Sequence, residues 1–196
     1  HAWYKGGKGA LHPYKGETEP EYTDFKEAAK YSWVKAPSFY DEPAQVGPLA
    51  RVLMGVASNH EPIKKYLNDV LGVVKAVGKI DVPLAGLHST IGRHAARAVM
   101  CAVNTDTIEA QWRLLMENLA KGDMKTFNKP VFPKDSVSGF GFHEAPRGIL
   151  SHWVVIDKGK IQNYQAVVPT TWNAAPRNEK DAPGPYEASL VGTPIA

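Results

Sequence analysis

The sequence has a single cysteine, Cys101. A disulfide or a thiolate metal site needs at least a pair, so neither forms within this chain. Cys101 lies in the apolar, helical run Ala98-Val-Met-Cys-Ala-Val103 and is expected to be a small buried hydrophobe with no chemistry of its own. The seven histidines (His1, His12, His60, His88, His94, His143 and His152) show no metalloprotease spacing and no helical i, i+4 pair, which speaks against a self-contained zinc site. Long uncharged apolar runs are missing, as is a charged-then-apolar leader, so nothing in these residues is expected to span a membrane or direct export. Basic and acidic side chains number 23 and 20 and are interspersed, without the basic stripe and interleaved aromatics that nucleic acid would require. No internal repeat or low-complexity run occurs. The chain starts at His1 and stops at Ala196 after Gly-Thr-Pro-Ile, and both ends read as cut.

What is present suits one sizeable core, or part of a larger one: 196 residues, 43% of them hydrophobic. The first forty residues mix Gly, Pro, Tyr and Trp, a pattern of loops and short extended pieces wrapped over a larger body and poorly ordered in isolation. Tyr31 to Pro37 suggests a short strand ending at the proline. Lys30 or Lys35 could line a site, although solvated or partner-facing lysines are the plainer account. Helical periodicity then takes over. Val46 to Ala57 reads as a short helix broken by Gly55. Ile63, Leu67, Val70, Leu71, Val74 and Val77 form one stripe, with Pro62 in the first turn and Gly78 at the end. From Ser89 to Gly122 a long pattern runs through Ile91, Ala95, Ala98, Val99, Ala102, Val103, Ile108, Trp112, Leu115 and Leu119, a rod of about 45 Å. Gly92, Ala95, Ala96 and Ala98 would allow close packing. Arg93 and Arg97 share a face, by default an ion-paired one. The fold class expected is α+β, helix-rich with long packed helices and a small antiparallel hairpin or sheet, in a single partial domain over residues 1–196.

The stretch from Gly139 to Trp172 organises the rest. Trp153 to Val155 is β-rich, Asp157-Lys-Gly159 supplies turn chemistry, and Ile161 to Val168 returns, so a hairpin should bring Glu144-Ala-Pro-Arg-Gly148 beside Val167-Val-Pro-Thr-Thr-Trp172. Arg147 stands between Pro146, with its fixed φ, and Gly148, which permits close approach. Pro169 stiffens the chain before the Thr170 and Thr171 hydroxyls. An arginine fork with a threonine hydroxyl makes a cradle for a small anionic or strongly accepting ligand. An arginine paired with Glu144 or a carbonyl, and threonines satisfying strand ends, is the blander account and the favoured one from the residues alone. Asn173 to Pro185 reads as a polar connection, and Tyr186 to Leu190 as one helical turn.

The run HEAPRGILSHWVVIDKGKIQNYQAVVPTTWNAAPR, followed by GPYEASLVGTPI, resembles the region just upstream of the C-terminal cysteine motif in the large subunit of nickel-iron hydrogenases. HAWYKGGKGALHPYKGETEPEYT, KYSWVKAP, VGPLARVL and HSTIGRHAARA are similar to the same family in the same order. The resemblance covers essentially the whole chain; it departs at Ser38, where an arginine is usual, and at His94, where a smaller polar residue is. It implies a fragment of the large-subunit fold, reversible splitting of dihydrogen into protons and electrons, and an iron-sulfur small subunit as partner. By family expectation the location is periplasmic or membrane-associated through partner subunits. The implied cofactor is nickel held by four thiolates, two of them bridging to an iron that carries carbon monoxide and two cyanides; neither cysteine pair is present here. On the family pattern Arg147 donates to one cyanide, and the Thr170 hydroxyl with nearby backbone N–H groups serves the other. Leu150 is the apolar wall toward carbon monoxide, with Pro146, Val168 and Pro169 completing the lining. The Ala166 carbonyl falls near the family's magnesium site. The resemblance offers two bases for the proton, a nickel-bound thiolate or Arg147; a guanidinium is a poor base, so an electrostatic and positioning role is preferred for Arg147 over a base role. A second reading is a metal-free relative, the quinone-pocket subunit of a respiratory NADH dehydrogenase, acting as a binding and coupling module.

Overall fold

The computed structural model describes residues 1–5, 11–15 and 19–193. Its internal contacts gather the chain into two compact units, residues 48–131 and residues 1–47 with 132–196. As the sequence suggests, the elements are helices plus one small antiparallel sheet.

The helical unit contains α1 (Pro48–Ala57), α2 (Glu61–Gly78), a 3₁₀ turn at Leu84–His88 and α3 (Thr90–Ala120). Gly55 does not break α1. A Cβ there would stand 2.4 Å from the Ile63 side chain, so its lack of a side chain is what admits α2. Helix α2 starts with Pro62 in its first turn and the His60 ring accepting from the Ile63 N–H, and ends where Lys79 turns left-handed at φ 56°. Helix α3 has 31 residues, which at 1.5 Å each is about 46 Å. Its cap is Ser89, whose hydroxyl accepts from the Gly92 N–H at 3.1 Å.

The core of this unit is Leu49, Val52, Ile63, Leu67, Leu87, Ala96, Val99, Met100 and Val103. Complete burial of a side chain such as Leu87 or Val52 contributes about 1.5–3 kcal/mol. The face that α3 buries only partly matches the predicted one, sharing Val99 and Val103 with it. Gly92, Ala96, Val99, Met100 and Val103 are inside, whereas Ile91 is 83% exposed and the stripe beyond Val103 stays open, with Trp112 at 61%. Cys101 is exposed, correcting the expected burial. It follows Met100, and one residue's rotation of about 100° takes it off the packed face. Arg93 donates to the His88 carbonyl and Arg97 meets the His94 ring, so neither bond seen there is an ion pair.

The second unit carries the sheet: β1 (Val137–Ala145), β2 (Gly148–Asp157) and β3 (Lys160–Val167), an antiparallel meander in that order. The predicted hairpin is β2–β3, turning at Lys158 and Gly159, both with positive φ. Strand β1 is additional. Alternating glycine and phenylalanine (Gly139 to Phe142) mask its period, and its large rings are used across the ladder, Phe140 stacking on its partner Trp153 at 4.9 Å. His12 and Tyr14 meet the same indole edge-on, and Asn163 donates to the Pro13 and Tyr14 carbonyls, so part of the N-terminal segment is seated on the sheet. The predicted strand at Tyr31–Pro37 is reduced to one parallel bridge, Ala2 with Ser32. Lys30 donates to the Tyr4 carbonyl, and Lys35 sits over the Tyr4 ring at 5.2 Å, where burial lowers its pKa; both lysines brace the N-terminal loop. Two short helices follow the sheet, α4 (Pro169–Asn173) and α5 (Pro185–Leu190).

Candidate functional site

Arg147 occupies the two-residue turn between β1 and β2, after Pro146. Its backbone is fixed from three directions. Gly148 has φ +134°, a conformation side chains rarely adopt, and a Cβ there would lie 2.5 Å from the Val46 side chain. Gly47 has φ +124°, and a Cβ on it would approach the Arg147 carbonyl oxygen to 3.0 Å. Asn173, 8% exposed, closes the third side. Its side-chain oxygen accepts from the Val46 N–H at 3.0 Å, and its amide nitrogen donates to the Val46 carbonyl at 3.0 Å and the Arg147 carbonyl at 3.4 Å.

The guanidinium itself is exposed and, among the described residues, makes no hydrogen bond or ion pair. The expected pairing with Glu144 is therefore not what holds it. A rigid backbone with a free five-donor head is a donor waiting for an acceptor.

The two ends of the organising stretch do converge. Register pairs Ser151 with Val167, at the start of β2 and the end of β3, and Asn173 on α4 reaches the Arg147 turn directly. Thr170 lies one turn before Asn173 on that short helix and is exposed. The threonines thus open a helix rather than satisfy strand ends. Pro169 is buried at the first helical position, Val168 is the residue before it, Leu150 is half-buried on β2, and Pro146 is exposed on the turn. The Ala166 carbonyl accepts one hydrogen bond, from the Gln165 side-chain amide at 3.1 Å, and a carbonyl oxygen has a second lone pair to offer. Asn173 is the residue that pattern reasoning passes over: a lone amide after a tryptophan looks like the first residue of a polar loop, and only its burial marks it.

These residues fit the outer part of the metal centre the resemblance implies, and not its anchors. Arg147 and Thr170 supply donors, as iron-bound cyanide requires, and Leu150 supplies an apolar flank. No three His, Cys, Asp or Glu side chains come together to hold a metal among the described residues.

Comparison with known proteins agrees with the sequence. The family profile for nickel-dependent hydrogenase matches residues 1–196. The chain is 46% identical over its full length to the hydrogenase-2 large chain of Escherichia coli K12, of which it covers 35%. Over 98% of its length it is 43% identical to the quinone-reactive Ni/Fe-hydrogenase large chain of Wolinella succinogenes, again covering 35% of that protein. Among solved structures, the [NiFeSe]-hydrogenase of Dm. baculatum superposes on the whole chain with a TM-score of 0.77 at 32% identity, the match covering 38% of the solved chain. The chain thus spans about a third of the length of the relatives it matches. With the profile matched from end to end and the fold shared, the chain belongs to the nickel-dependent hydrogenase family.

Proposed function

We propose that residues 1–196 are the central to C-terminal part of a nickel-iron hydrogenase large subunit, which catalyses the reversible oxidation of dihydrogen to protons and electrons with an iron-sulfur small subunit. The observation that carries this reading is Arg147, its backbone locked between Gly47, Gly148 and Asn173 and its guanidinium presented without a partner among the described residues. The relatives' names as hydrogenase large chains support it.

In this reading the Ni-Fe(CN)2CO centre, when bound, supplies the site where dihydrogen is split. Arg147 would donate to one cyanide and Thr170 to the other, offsetting the centre's negative ligands. Leu150 would present an apolar flank toward carbon monoxide, and Pro146, Val168 and Pro169 would stiffen the two limbs. The Ala166 carbonyl is the proposed magnesium contact. Arg147 would hold charge and geometry, since a guanidinium is a poor base, and a metal-bound thiolate supplied from elsewhere in the full subunit would be the better proton acceptor. The location proposed is at a membrane through partner subunits; no helix among the described residues is long and apolar enough to cross one.

The test uses the complete large subunit with its small subunit and an artificial electron acceptor. Arg147→Lys keeps the charge but loses the planar fork. Hydrogen oxidation should fall sharply, by about 10–100-fold, with nickel and iron content unchanged; wild-type turnover would refute the role. Sequence flanking the chain separates the alternative reading, because cysteine pairs on both sides are required here and absent from a quinone-binding module.

A further inference from the structure

We infer that Asn173 is a positioning residue for the hydrogen-splitting site: its amide sets where the Arg147 turn stands, and so where the guanidinium reaches. The inference rests on the reading of Arg147 given above.

The side chain is matched to its surroundings atom by atom. A neutral amide offers one acceptor oxygen and two N–H donors. Here the oxygen takes the Val46 N–H, while the nitrogen faces two carbonyls, those of Val46 and Arg147. Three segments distant in sequence meet on one side chain: the Val46-Gly47 strap, the β1–β2 turn and α4. The strap has no slack of its own. Gly47 and Gly148 both sit at positive φ; a Cβ at Gly148 would clash with Val46 at 2.5 Å, and one at Gly47 would press on the Arg147 carbonyl at 3.0 Å. A small displacement of the strap is therefore transmitted to the Arg147 carbonyl, next to which it lies. Since α4 also carries Thr170, one residue ties together the two limbs proposed to face the cyanides.

Asn173→Asp is nearly isosteric and separates packing from hydrogen bonding. It keeps the acceptor for the Val46 N–H, loses both donors, and sets an anionic oxygen against two carbonyl oxygens. Asn173→Ser is the milder companion, retaining one small hydroxyl. Both are made in the complete large subunit with its small subunit, beside Arg147→Lys and the double variant Asn173→Asp/Arg147→Lys. Metal content, hydrogen turnover and the infrared cyanide stretching bands are measured on each.

The expected result is wild-type nickel and iron in at least one Asn173 variant, cyanide bands displaced as Arg147→Lys displaces them, and turnover per nickel lowered about 10–100-fold, because supporting partners of a metal site typically act on that scale. The double variant should be little worse than Arg147→Lys alone, since the two act in series. Asn173 variants with metal bound and bands unmoved, while Arg147→Lys moves them, would overturn the inference and leave the reading of Arg147 standing. Failure of every Asn173 variant to load metal would also overturn it, marking Asn173 as a folding residue only. Bands unmoved by Arg147→Lys itself would remove the reading of Arg147 and this inference together.

Discussion

The chain carries the tripeptide Ala-Pro-Arg twice, at Ala145–Arg147 and at Ala175–Arg177, and the two arginines are used in opposite ways. Arg177 is consumed by its surroundings. Its N–H donates to the Tyr31 hydroxyl at 2.8 Å, its guanidinium donates to the Glu27 carbonyl at 2.7 Å, stands 3.5 Å from the Asp181 carboxylate and lies over the Tyr31 ring. Tyr31 in turn donates to the Glu187 carboxylate at 2.6 Å, tying α5 to the N-terminal segment. Around Arg147 everything binds the backbone and, among the described residues, nothing binds the head. One arginine closes a structure, and the other is held out from one. Proline precedes both arginines and fixes φ there, while Gly148 after one and Asn178 after the other let the fold set different surroundings, and those surroundings make the difference.

Breaking the frame around Arg147 should have the largest effect. Gly148→Ala forces a side chain into φ +134° and against Val46, and should cost about 3 kcal/mol or more, read as loss of soluble, metal-loaded enzyme. An enzyme that loads normally would mean that the turn has more room than this.

Exchanging lysine for each arginine sharpens the comparison. Arg147→Lys should lower turnover about 10–100-fold without moving thermal stability. Arg177→Lys should leave turnover per nickel intact and lower the thermal midpoint, since it loses the guanidinium bond to the Glu27 carbonyl and weakens the ring contact, each worth about 1 kcal/mol. The reverse pattern would exchange their roles.

Tyr31→Phe probes the consumed side more gently, removing one bond to a carboxylate and one from a backbone N–H for about 2 kcal/mol. Burial first, and the Glu187 bond second, raise the Tyr31 pKa above the ordinary tyrosine value. A raised folded-state pKa means that the contribution is complete below the unfolded tyrosine pKa of about 10 and is lost as pH climbs through the folded value. Wild-type and Tyr31→Phe thermal midpoints should therefore differ at neutral pH and converge in strong alkali. A constant difference across that range would show that the hydroxyl is not the group responsible.

Much of this was legible in the residues. Pro62 in the first turn of α2 and its end at Gly78, the start of α3 beside Ser89, the turn at Lys158-Gly159 and the convergence of the Arg147 and Thr170 segments all follow from short-range chemistry. The buried face of α3 was legible only in part. Val99 and Val103 were on the predicted stripe, but the small residues run almost around the helix, so the sequence period did not pick out Ala96 and Met100, which pack with Leu87 of the 3₁₀ turn. Gly47 and Asn173 escaped for a similar reason. The frame they build exists only when residues 46–47, 147–148 and 173 meet, and no local window contains all three.

The most direct measurement is a crystal structure of the complete, metal-loaded large subunit. The account predicts an Arg147 guanidinium nitrogen about 2.8–3.0 Å from a cyanide nitrogen on the iron, with the Asn173 amide still on the Arg147 carbonyl. A guanidinium folded back onto a protein carboxylate, with no donor at that cyanide, would contradict it.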